Sequence, residues 1–209
     1  MKAVRFLLVI GALALSGSTL GAAPPAAPAT AAAPAPVAGP KNELGLTAAL
    51  VVNKDSYVLN VAQSGKAFRD QVDAIKNARG GMAVGRLPQP PAVDLTFRIT
   101  NTTGKDVTIT AGGDDSQMDL KLEGPGAVTA DNNVAMTMEF RIGKPVTIVA
   151  GKMADIKITS LAFGMRGISR YAYWTEPGDY TITATLTYSS GEKQGTLTSG
   201  PAKVKVTKQ

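Results

Sequence analysis

One stretch concentrates side chains suited to recognition: Arg166-Gly167-Ile168-Ser169-Arg170-Tyr171-Ala172-Tyr173-Trp174. It holds the only tryptophan of the chain, two tyrosines and two arginines. Such residues dominate binding hot spots because they offer large, rigid contact area and directional donors. Aromatic faces also stack on sugar rings and peptide side chains. Arg166, Arg170, Tyr171, Tyr173 and Trp174 are therefore the expected binding residues, carried on a connection between strands. The competing reading is structural. In a chain with only 5% aromatic residues, Trp174 and one tyrosine plug an end of the core, with Arg166 or Arg170 capping them.

A second cluster, Asp114, Asp115, Ser116 and Asp119, follows Gly112-Gly113. Oxygen-rich loops bind calcium, but this spacing does not match an EF-hand loop. An Asp-rich turn is expected here, and no metal site. Catalysis has little to build on. With no histidine and no cysteine, the chain lacks imidazole acid/base chemistry, thiol nucleophiles, disulfides and the usual zinc ligands. No Gly-x-Ser-x-Gly elbow or P-loop occurs. Ser160 and Ser169 have no identifiable base, and no local motif places two carboxylates around a cleft. The chain is expected to be no enzyme and to need no cofactor. Asn101-Thr102-Thr103 fits a glycosylation sequon but reads more simply as a turn.

Residues 1–22 read as a secretory signal peptide. Lys2 and Arg5 give a positive start, Phe6–Leu15 an apolar run, and Gly21-Ala22-Ala23 a small-residue cleavage site. A membrane span needs about 20 apolar residues, and no later segment approaches that length. The expected location is exported, periplasmic or extracellular, with no membrane span in the mature chain. Removing Lys2 and Arg5 from 22 basic residues leaves 20 against 16 acidic ones, a net charge of +4. Those charges are interleaved rather than gathered into a stripe, so no nucleic-acid partner is expected. An unknown protein or polysaccharide of the envelope is. Residues 23–43 form an Ala/Pro-rich linker.

The folded domain is expected over 44–209. Val134, Met136, Met138, Phe140 and Ile142 alternate with polar or small residues; so do Leu95, Phe97 and Ile99, and Tyr180, Ile182, Ala184, Leu186 and Tyr188. Period two with one apolar face marks antiparallel strands. Shorter strands are expected at 46–52, 57–62, 106–110, 117–122, 146–150, 155–161 and 202–207, with a long connection at 161–178. Within a front extension, 44–91, Phe68, Val72 and Ile75 fall at helical spacing before Gly80-Gly81. This predicts a short inserted helix over about 66–78.

Three stretches carry a family resemblance. Val93–Val107 (VDLTFRITNTTGKDV) resembles the strand–turn–strand signature of bacterial immunoglobulin-like domains, including the BsuPI-type proteinase-inhibitor domain. Val149–Ile158, with Ala150-Gly151-Lys152, resembles their approach to the next strand. Glu176–Leu186 (EPGDYTITATL) resembles the Pro-Gly-x-Tyr start of a late strand in many extracellular sandwiches. The resemblance implies an all-β, immunoglobulin-like antiparallel β-sandwich. It covers about half of the folded chain and matches no inhibitory loop residue by residue. Tyr180 sits where a tyrosine corner needs it, a structural role. The expected function is an exported, non-enzymatic binding or structural module of the cell envelope or extracellular space. A proteinase-inhibitor-like domain is the alternative, and a glycan-processing enzyme a distant one.

Overall fold

Alternation of apolar and polar residues builds the central strand of the first sheet. In β3 (Ala92–Asn101) Val93, Leu95, Phe97 and Ile99 point into the core. It pairs antiparallel with β1 (Leu46–Val52) on one side and β8 (Met153–Ser160) on the other. This computed structural model describes residues 35–77, 87–113, 116–132, 142–165 and 168–208. The signal peptide, most of the linker, Gly80-Gly81, Asp114, Asp115, Arg166 and the strand expected at 134–142 up to residue 141 lie outside them. Ile142 is described and is 83% exposed.

The facing sheet contains β4 (Val107–Ala111), β7 (Lys144–Ile148), β11 (Gly178–Ser190) and β12 (Lys193–Thr198) in the order β12-β11-β4-β7. Ile109, Ile148, Ile182, Leu186 and Leu197 from it meet Leu50, Phe97 and Ile99 from the first sheet in one cluster. Among these seven strands, the first, second and fifth form one sheet, and the seventh, sixth, third and fourth the other. That is the strand distribution of an immunoglobulin-like sandwich, with the fourth strand beside the third. The described residues thus form an all-β sandwich with one short helix.

Three insertions elaborate it. Between β1 and β3 lie β2 (Ser56–Val58), a single 3₁₀ turn (Val61–Gln63) and the helix α1 (Gly65–Asn77). Between β4 and β7 lie β5 (Met118–Glu123) and β6 (Ala127–Asn132); between β8 and β11 lie β9 (Ala162–Met165) and β10 (Ile168–Trp174). The 13-residue β11 makes this possible. One edge carries β12 and then β13 (Ala202–Thr207), while the other carries β5. From β5 the sheet continues through β9 and β10 to β6, and β2 adds parallel to β13.

The helix and most short strands lie within a residue or two of their expected positions. Two expectations need correction. The strand at 57–62 is only β2, because Asn60 Oδ1 accepts the Ala62 amide at 3.0 Å and turns the chain into the 3₁₀ turn. The long connection at 161–178 contains β9 and β10. Residues 35–43, within the expected linker, are attached to the sandwich: the Gly39 amide donates to Ala48 at 2.7 Å and that of Asn42 to Leu46 at 2.9 Å. A Cβ at Gly39 would collide with the Thr198 carbonyl, so only glycine allows that approach.

Asn101, at the end of β3, is 0% exposed. Its Nδ2 donates to the carbonyls of Lys105 and Ile148, both at 2.8 Å, and its Oδ1 accepts the Thr103 amide at 2.9 Å and hydroxyl at 2.7 Å. The sequon asparagine is thereby a latch between sheets, with both amide hydrogens engaged. Asn101→Ala leaves the buried Ile148 carbonyl without its donor, and the expected loss is about 3 kcal/mol in urea unfolding. A midpoint unchanged from wild type would remove the latch. Tyr180, at the start of β11, places its hydroxyl against the carbonyls of Pro125 and of Glu176, the latter at 2.7 Å. Tyr180→Phe is expected to cost ~1 kcal/mol, one net hydrogen bond, read in the same denaturation.

Candidate functional site

The geometry around β10 follows from strand alternation. Ala172 and Trp174 face the main core, where the Trp174 ring lies 5.1 Å from Tyr57 and 6.0 Å from Tyr180, centroid to centroid. Tyr171 and Tyr173 face the other way, toward α1. There Tyr173 packs edge-on against Phe68 at 5.1 Å in a cluster with Val72, Leu87 and Ala130. The helix is held at its start by the Gly65 amide donating to Thr175 at 2.8 Å, and by Arg69, paired with Glu176 and bonded to Thr175 Oγ1 at 3.0 Å. Tyr173 is 0% exposed and donates to the Pro88 carbonyl at 2.6 Å.

The expected binding residues therefore do not share one surface. Tyr173 is core, Tyr171 is half-buried beneath α1, and Trp174 is 3% exposed. Arg170 is exposed on the same face as Trp174, four residues away. The sequence missed this because both faces of β10 are covered, which erases the polar/apolar alternation that marks a half-solvated strand.

Arg170 stands in a groove of about 620 Å³. It opens because β5 meets β9 only at Met118↔Gly164 and the two strands then diverge. Asp119, Lys121, Thr129, Asp131 and Thr185 line it with Arg170. Arg170 Nε donates to Asp131 Oδ1 at 3.1 Å, and its Nη1 lies 3.8 Å from Asp119 Oδ1. Asp119 also accepts from Gln117 Nε2 with both oxygens, at 2.7 and 2.8 Å. Lys76, at the end of α1, completes the rim. Such a wall offers charged donors and acceptors side by side. Asp119 belongs to β5 rather than to a cation loop.

A second recess, about 400 Å³, lies at the Trp174 end of β10. Tyr57 and Trp174 contribute to its lining together with Lys54, Asn60, Gln63 and Gln89. Lys54 Nζ sits 5.3 Å from the Tyr57 ring centroid, and Gln63 Nε2 donates to the Gln89 carbonyl at 2.8 Å. Tyr57 Oη accepts the Asp94 amide at 2.9 Å. Nothing in the sequence spacing joins residues 54–63 to 89 and 174; only the tertiary fold does. Among the described residues, no cluster of three or more acidic metal-ligating side chains occurs, and no helix is long and apolar enough to cross a membrane.

No protein-family model matches the chain, and no curated protein matches it. Among solved structures, it is similar to a crystal structure of native alpha-2-macroglobulin from Escherichia coli, spanning domain MG7 to the C-terminus. The identity is 18% over 62% of this chain, with a TM-score of 0.29. The chain spans only 17% of that structure's length.

Burial pushes the phenols of Tyr57, Tyr173, Tyr180 and Tyr188 above the ordinary tyrosine value, Tyr173 furthest. In the unfolded chain they ionise near pH ~10. Above that pH the unfolded state releases protons that the folded state retains, so stability is full below about pH 10 and falls as pH rises. Urea midpoints are expected to fall from about pH 10 upward, with the phenolate absorbance of these four tyrosines appearing only as the chain unfolds. Ionisation of these tyrosines near pH ~10 in a still-folded protein would contradict that.

Proposed function

We propose that the chain is an exported, non-enzymatic binding module of the cell envelope or extracellular space. Its partner is a polar surface, a protein or a polysaccharide of the envelope, held in the Arg170 groove. The observation that carries this reading is convergence: the β5–β6 and β9–β10 insertions and the end of α1 meet around one exposed arginine flanked by two carboxylates. A rigid sandwich presenting irregular additions is a common way to build recognition without chemistry. Asp119 and Asp131 both face the same guanidinium in an open groove, an arrangement for matching charge rather than for splitting a bond. Export rests on the positive start and apolar run of residues 1–22. The proteinase-inhibitor alternative rests on the sequence resemblance alone.

Arg170 is exposed, and its ion pairs contribute at most about 1 kcal/mol to folding, so Arg170→Ala should fold normally. Capture of the partner from envelope extract on immobilised Arg170→Ala is expected to fall at least about tenfold, the equivalent of about 1.4 kcal/mol. The thermal midpoints of the two proteins should coincide within a few degrees. Equal capture by wild type and variant would overturn the groove as the contact site.

A further inference from the structure

We infer that the recess at the Trp174 end of β10 is a second binding site, for a neutral oligosaccharide. A pyranose presents an apolar C–H face and a ring of hydroxyls, each a donor and an acceptor at once. The recess offers the complement of both. Its apolar side is the exposed Val58 together with the edge of the buried Tyr57–Trp174 pair, inclined at 35°. Its rim carries three side-chain amides, from Asn60, Gln63 and Gln89.

The hydrogen bonds of those amides leave both kinds of capacity unused. Gln63 is 8% exposed and commits Nε2 to the Gln89 carbonyl; its Oε1 meets no donor among the described residues. Asn60 commits Oδ1 to the Ala62 amide, which leaves its amide hydrogens available to a ligand. A buried acceptor without a donor is costly, and a ligand hydroxyl would relieve that cost while its oxygen accepts from Asn60 or Gln89. No carboxylate is among the described lining residues, so they do not supply the paired acids of glycosidic cleavage. The site therefore binds rather than cuts.

Charge selects the neutral class. Lys54 is the one charged residue among the described lining residues, and Asp55 and Asp94, outside that lining, act electrostatically on the adjacent Tyr57. An anionic sugar would be drawn by Lys54 but opposed by the two acids just outside the lining. The wall is fixed in advance, because Pro90 and Pro91 are rigid and the Pro91 carbonyl accepts the Leu161 amide at 3.0 Å. At about 400 Å³ the recess falls within the range of small-molecule sites, about 300–1,000 Å³.

Trp174 is the only tryptophan, so its emission reports on this recess directly. The full chain is titrated with cello-oligosaccharides, chito-oligosaccharides and galacturonate oligomers, followed by emission and by calorimetry. A saturable change with a neutral series is expected, weakened at least about tenfold, or about 1.4 kcal/mol, in Lys54→Ala/Gln89→Ala. Both positions are exposed, so the thermal midpoint of that variant should stay at the wild-type value. Absence of saturable binding to either neutral series overturns the inference, as does saturation by galacturonate alone or undiminished binding by the variant. The recess shares no described lining residue with the Arg170 groove, so the two assignments fail or stand separately.

Discussion

Both faces of β10 are buried, each in a different cluster, and the remainder of the architecture is arranged around that constraint. Ala172 and Trp174 belong to the core of the sandwich, and Tyr173 to the cluster beneath α1. A strand of this kind cannot be left half-covered, since an unroofed Tyr173 would expose a large apolar ring. Burying each large apolar side chain contributes about 1.5–3 kcal/mol. The partly exposed Arg69–Glu176 ion pair contributes at most about 1 kcal/mol. Packing of Phe68 and Val72 onto Tyr173, rather than charge, is therefore what holds the helix in place. The ion pair and the Gly65–Thr175 bond set its register.

Function follows from where the insertions fail to close. β3 pairs with β1 and with β8 over seven residues each, whereas β5 and β9 share a single bridging pair before they part. The groove opens at that divergence, and its charged lining comes from four elements, α1, β5, β6 and β10. At the other end of β10, four residues or about 13 Å along the strand, the front insertion and the Leu87–Pro91 run leave the Trp174 recess. One strand thus reaches two openings of different chemistry, one charged and wide, the other apolar on one side with an amide rim. Neither uses histidine or cysteine, and the composition of the chain asks for neither.

How much of this was legible depended on solvent exposure. β1, β3, β11 and α1 each bury one face and leave the other to water, so their residues alternate with period 2 or recur at helical spacing. β10 has no such contrast, and β12 buries only Leu197 of its six residues, too weak a pattern to read. β6 is short and was hidden by the stronger alternation that follows it. The cluster at 166–174 did point to the right part of the chain, but strand alternation then separated its members onto opposite faces. Tyr57, Gln63 and Gln89 carried no sequence signal as site residues, and Asp119 read as part of an Asp-rich turn. Their roles arise from contacts across 26 residues or more, and local spacing does not encode such contacts.

The central claim is that β10 makes the insertions and the sandwich a single cooperative unit. Native-state amide hydrogen exchange across a denaturant series measures it directly. Ala172, whose amide donates to Leu161 at 2.9 Å, and Tyr173 are expected to exchange only through the global opening that also releases Phe97 in β3 and Ile182 in β11. Exchange of β10 through a separate opening of lower free energy, with β3 and β11 still protected, would contradict it.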